Sequence, residues 1–136
     1  MGNEKIILDT NLWISFLISK NFSQLDELIE NKNITLVFSN ELLEEFIEVV
    51  RRPKFKKYLS EEDIANLLNY FDLYSKIIEV KSDVQLCRDQ KDNFLLNLSI
   101  DSKAHFLITG DKDLLVLKRV QKTKIISFRD FLKHTK

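Results

Sequence analysis

The chain has 136 residues, 44% hydrophobic and 31% charged, which is ordinary soluble composition with enough apolar material for a packed core. Lys plus Arg and Asp plus Glu number 21 each, which excludes a polycation that binds nucleic acid by bulk charge. One cysteine, two histidines and two glycines exclude an intrachain disulfide, a cysteine-only or three-histidine metal site, and both glycine-rich phosphate loops. The chemistry must therefore come mainly from carboxylates, hydroxyls and amides.

The run Ile6-Ile7-Leu8 reads as a buried strand. Thr10 or Asn11 can cap a helix reaching Lys20, with Leu12, Trp13, Phe16 and Leu17 at helical spacing. A second helix is expected from Phe22 to Asn31, then a strand from Ile34 to Phe38. Ser39 or Asn40 caps the next helix, which Pro53 should end. Ser60 with Asp63 has the form of a capping box and opens a helix carrying Ile64, Leu67, Leu68 and Phe71. Ile77 to Val80 is a third strand, Asp92 to Lys103 a helix, and Phe106 to Thr109 a fourth strand. Leu114 to Leu117 fits a short helix, Lys124 to Ser127 a fifth strand, and Phe128 to His134 a terminal helix.

Short apolar strands separated by helices imply an α/β fold with a parallel sheet covered on both faces. No repeat, low-complexity segment or Pro/Gly/Ser linker divides the chain, so residues 1–136 read as one domain. No apolar run approaches the ~20 residues of a membrane span. With no secretory pattern and a lone cysteine, a reducing cytoplasm is the expected compartment.

Ligands of open parallel sheets bind beyond the carboxyl ends of the strands. Asp9 and Asp111 fall there, each readable as a helix N-cap or as a ligand. The capping reading is weaker for Asp9, where Thr10 and Asn11 offer other caps, and stronger for Asp111. The helix after the second strand carries Glu41, Glu44, Glu45 and Glu48. Glu45 lies about 40° from Val49 on the helical wheel, nearest the apolar arc, so it is the one expected to face the sheet edge. Asp92 opens a helix on the face shared with Leu96 and Ser99, as a dipole partner or as a ligand. Asp89 reads as a loop residue, and Asp113 as either a first-turn charge or a metal contact. Four acids at one sheet edge repel each other, and a divalent cation relieves that repulsion. Mg²⁺ and Mn²⁺ favour such oxygen donors.

These segments resemble the PIN-domain nucleases over nearly the whole chain. Ile-Leu-Asp9-Thr10-Asn11 resembles the family's opening strand and its Asp-Thr/Ser-Asn signature. Ser39 followed by Glu45 through Phe55 resembles the second motif, Asp89 to Asn93 the third, and Thr109-Gly110-Asp111-Lys112-Asp113 the fourth. The resemblance places the family's acids on Asp9, Glu45, Asp92 and Asp111, with Thr10, Asn11, Ser39 and Thr109 in support; Asp113 keeps its two readings beside them. It implies a three-layer α/β/α sandwich on a mostly parallel sheet of about five strands, and Mg²⁺- or Mn²⁺-dependent endoribonuclease activity. It further implies a toxin role in a toxin–antitoxin pair, an antitoxin partner and a homodimer.

Arg51, Arg52, Lys54, Lys56 and Lys57 interleave with Phe55 and Tyr58, as an RNA phosphate and stacking surface or as a solvated helix end. His105 and Cys87 read as structural. Two rival functions remain. A haloacid-dehalogenase-type phosphatase also opens on a strand and an Asp, but Asn11 stands where its second Asp belongs. A non-catalytic RNA- or protein-binding module of the same fold is the other, and the intact acids count against it.

Overall fold

The computed structural model describes residues 4–19 and 34–134, Leu17 by its backbone alone, so the helix expected over 22–31 lies outside the described residues. In chain order the elements are β1 (Glu4–Leu8), α1 (Thr10–Ser19), β2 (Ile34–Phe38) and α2 (Asn40–Val50). A 3₁₀ turn (Pro53–Phe55), α3 (Glu61–Tyr74), β3 (Ser75–Ile77) and α4 (Gln90–Ser102) follow. β4 (Phe106–Ile108), α5 (Lys112–Leu115), β5 (Arg119–Val120), β6 (Thr123–Ile126) and α6 (Phe128–His134) complete the chain.

The sheet runs β3-β2-β1-β4-β6-β5, parallel throughout except for the β5–β6 pair. Ile6, Ile7 and Leu8 of β1 and Phe106, Leu107 and Ile108 of β4 are all buried, as strands covered on both faces require. Strands β1, β2 and β3 step one way along the sheet, and β4 returns to the other side of β1. With right-handed crossovers, α1 to α3 cover one face and α4 the other, giving three layers. Trp13, Phe38, Phe46 and Phe71 lock the first layer to the sheet, with Trp13–Phe71 and Phe38–Phe71 ring centroids 4.8 and 4.6 Å apart. The reversal between β1 and β4 is the topological switch point, where such sheets bind ligands.

Several boundaries differ from the sequence expectation. α3 continues to Tyr74 and passes straight into β3, which pairs over Ser75–Ile77 rather than 77–80. No Gly or Pro marks that junction; instead the Ser75 backbone N–H and hydroxyl both donate to the Phe71 carbonyl. The sixth strand, β5, comes from a two-residue turn at Gln121-Lys122, with Gln121 at φ 50°. That turn lacks the Asn-Gly or Asp-Gly pattern that favours positive φ. Ser39 and Ser60 cap α2 and α3 as the spacing implies, the latter with Asp63 in a capping box.

α4 also holds the extended chain that precedes it. The Asn93 amide accepts from the Cys87 N–H at 2.8 Å and donates to the Cys87 carbonyl at 2.9 Å. Asn97 makes the same pair with Val84, at 2.7 and 3.3 Å. One turn further on, the Asp101 carboxylate accepts from the Lys81 and Ser82 N–H groups. These residues stand at i, i+4 and i+8, one stripe of the helix. Side chains thereby satisfy backbone groups that a sheet partner would otherwise satisfy, and they fix the approach to Asp89 and Asp92.

Candidate functional site

Asp9 leaves the end of β1, where its N–H bonds the Ile108 carbonyl of β4 at 3.0 Å. It is the residue before α1, and its Oδ1 accepts from the Asn11 N–H at 3.2 Å. Asp9 is therefore the cap, in place of Thr10 or Asn11. Its other oxygen is held from β4, because the Thr109 hydroxyl donates to Oδ2 at 2.8 Å. The same hydroxyl accepts from the Asp111 N–H at 3.0 Å, so one fully buried threonine orients the two acidic segments together. Asp111 caps α5, accepting from the Asp113 N–H at 2.8 Å, which starts that helix at Lys112 rather than Leu114. Gly110 between them has open space around it.

Asp89 is no loop bystander: it caps α4 through the Lys91 N–H at 2.9 Å and starts the helix at Gln90 rather than Asp92. Asp92 is consequently in the first turn, where N–H dipoles favour a carboxylate. It is buried at 6% exposure, with the Asp111 carboxylate close beside it. Burial first, then Asp111, then Asp89 and Asp9, push its pKa from 3.8 up to about 6. Carboxylate oxygens of Asp92, Asp111 and Asp113 lie within 4.8 Å of one another, close enough to hold one cation. Cys87 is half-buried nearby, and burial and then the negative charge of Asp92 raise its thiol pKa. Its protonated sulfur offers no anionic ligand.

Glu45 enters from α2. It is half-buried, whereas Glu41, Glu44 and Glu48 are exposed. Asp9, Glu45, Asp92 and Asp111 line a single cleft together with Thr10, Asn11 and Asp89. Ile14, Leu42, Val49 and Leu95 form its apolar walls. Ser39 and Thr109 stand behind it, Ser39 fully buried as the cap of α2. Asp113 is exposed at the rim. Every acid that the sequence pattern singles out is in or beside this cleft, and the donor set of carboxylate oxygens without imidazole suits a hard divalent cation.

The basic segment divides. Arg52, Lys54 and Phe55 line the cleft, with the Lys54 ammonium 5.1 Å from the centre of the Phe55 ring. Arg52 is held by two hydrogen bonds to Glu48, at 3.2 and 3.1 Å. Arg51 pairs with Glu61 at 3.6 Å, away from the cleft lining, and Lys56, Lys57 and Tyr58 are exposed beyond it. His105 is structural, its Nδ1 accepting from the Lys5 N–H at 3.0 Å at the far end of the sheet.

Sequence reasoning passed over Lys91, which lines the cleft and places its ammonium 3.6 Å from Glu45. The available signal was a cation in the first turn of a helix, against the dipole. Among the described residues no helix is long and apolar enough to cross a membrane.

Comparison with known proteins agrees with this architecture. The chain is 38% identical over 117 residues to an uncharacterized protein of Methanocaldococcus jannaschii, an alignment covering 84% of this chain and 75% of that protein. A family model described as the PIN domain matches residues 5–113, a span running from β1 through Asp113. The chain belongs to the PIN-domain family, whose members are generally nucleases.

Proposed function

We propose that this protein is a Mg²⁺- or Mn²⁺-dependent endoribonuclease that hydrolyses phosphodiester bonds of single-stranded RNA. The observation that carries the reading is the lining of one cleft, where Asp9, Glu45, Asp92 and Asp111 lie beside Arg52, Lys54 and Phe55. Asp9 from β1, Glu45 from α2, and Asp92 and Asp111, with Asp113 at the rim, would hold the ion. A bound divalent ion supplies charge neutralisation at the phosphate and lowers the pKa of water.

The chain's own residues do the rest. Thr109 keeps the Asp9 carboxylate turned towards β4, so the acids are arranged before substrate arrives. Asp92 must lose its proton to act as a ligand; its burial opposes that loss, and entering positive charge favours it. Arg52 and Lys54 attract phosphates, while Phe55 offers a ring on which an unpaired base can stack. A stacked base must be unpaired, which favours single strands over duplex. The family resemblance supports assigning the toxin role in the cytoplasm, with an antitoxin protein as partner and a homodimer as the assembly.

The test presents single-stranded RNA, duplex RNA and single-stranded DNA of one sequence to the purified protein in Mn²⁺. Cleavage of the single-stranded RNA well ahead of the others is expected. Equal cutting of duplex RNA would refute the assigned substrate, and no cutting of any of them would refute the nuclease assignment.

A further inference from the structure

Lys91 is the second residue of α4, a position where helix dipoles favour acids and disfavour cations. Its side chain crosses the cleft to another element, bringing Nζ to 3.6 Å from Oε1 of Glu45 on α2. The lysine side chain stays 66% exposed and that of Glu45 29%, so the pair sits at the mouth and is open to exchange. Exposed pairs of this kind are weak ties. A lysine is also suited to moving, being a compact point charge on a flexible stem.

The neighbouring charges explain why a cation rests there. Asp89 and Asp92 flank Lys91 in sequence, and Asp9 and Asp111 line the same cleft. This ammonium balances part of a charge that would otherwise raise the energy of every carboxylate present. A divalent ion taking Glu45 as a ligand competes for the same oxygen and repels the ammonium. The displaced side chain remains tethered beside the cleft that Arg52 and Lys54 also line.

We infer that Lys91 is a resident counter-cation, which a divalent ion displaces from Glu45 and which then contacts the phosphate backbone of the substrate. This rests on the metal-dependent nuclease reading given above. Lys91 thus lowers metal affinity and raises substrate affinity, two effects that a merely structural strut does not combine.

The experiment compares the parent protein, Lys91→Met and Lys91→Arg. Mn²⁺ binding is measured by isothermal titration, and KM and kcat are measured on single-stranded RNA at saturating Mn²⁺. Melting in EDTA verifies that each variant is folded. Lys91→Met should bind Mn²⁺ roughly two- to fivefold more tightly, the range of a lost weak ion pair. Its KM should rise by a similar factor with kcat nearly unchanged, and Lys91→Arg should restore both towards the parent values. If Lys91→Met binds Mn²⁺ no tighter or more weakly, the lysine only braces Glu45 and the inference falls. An unchanged KM overturns the substrate contact. A parent protein that binds no Mn²⁺ overturns this inference and the nuclease reading together, whereas a binding, cleaving parent with an unaltered Lys91→Met variant overturns this inference alone.

Discussion

Asp9 does two jobs in the structure, and two substitutions separate them. Its Oδ1 caps α1 through the Asn11 N–H, and its Oδ2 accepts from the buried Thr109 hydroxyl. Asp9→Ala removes both bonds. A lost cap costs about 1 kcal/mol, and a buried hydroxyl left without its acceptor about 1 kcal/mol more. Removing a charge near buried Asp92 offsets part of that loss, so a net destabilisation of about 1–2 kcal/mol is expected in EDTA. Asp9→Asn keeps a capping oxygen of nearly equal quality. Its single oxygen cannot also accept from the Thr109 hydroxyl, a loss of about 1 kcal/mol that relief of repulsion offsets in part, so it should lie within about 1 kcal/mol of the parent and above Asp9→Ala in EDTA. In Mn²⁺ at a hundredfold excess over the dissociation constant, the parent gains about 2.7 kcal/mol. At roughly 3 °C per kcal/mol for a domain of this size, that is a rise of about 8 °C. Thermal melts in the two buffers measure all of this, and neither variant should gain comparably in Mn²⁺. An Asp9→Asn protein that rises as far as the parent removes Asp9 from the metal site. One that melts as low as Asp9→Ala in EDTA refutes the capping argument.

Three further outcomes follow from other parts of the molecule. Asp92 has a folded pKa raised to about 6 from 3.8, so the folded state binds a proton that the unfolded state releases. In EDTA that contribution is fully present below about pH 4 and lost as pH rises through about 6. The melting temperature of the parent relative to Asp92→Asn should therefore rise as pH falls from 7 to 5, while its Mn²⁺ affinity should fall over the same range; a flat difference contradicts the shift. Asn97→Leu strands the Val84 N–H and carbonyl and should cost about 2 kcal/mol in urea unfolding, with the m-value unchanged. Replacing Lys54, Lys56 and Lys57 by Gln should weaken RNA binding and lower the salt slope by up to ~2, at ~0.7 per single-strand phosphate contact. An unchanged slope marks these lysines as solvated surface.

The parts legible in the sequence are those with a local physical signature. Buried strands β1, β2 and β4 show as apolar runs, and α2 and α3 announce themselves through Ser39 and the Ser60–Asp63 box. Glu45 is distinguishable from its neighbouring glutamates because 3.6-residue periodicity places it beside the apolar arc. The illegible parts depend on contacts distant in sequence. The start of β3 is set by pairing with β2 and by Ser75 closing α3, neither of which a propensity rule registers. β5 needs a positive φ at Gln121, which no turn motif there signals. The Thr109 bridge and the Lys91–Glu45 pair join residues 100 and 46 positions apart, respectively, so only the folded chain brings them together. The capping role of Asp9 is masked in the sequence by two better-looking caps directly after it.

The most direct test of the central claim is a cleavage time course on end-labelled single-stranded RNA. The purified parent and Asp92→Asn proteins are each assayed in millimolar Mn²⁺ and in excess EDTA. Internal cleavage by the parent in Mn²⁺, abolished by EDTA and by Asp92→Asn, is the predicted result. Undiminished cleavage in EDTA, or by Asp92→Asn in Mn²⁺, would contradict the account.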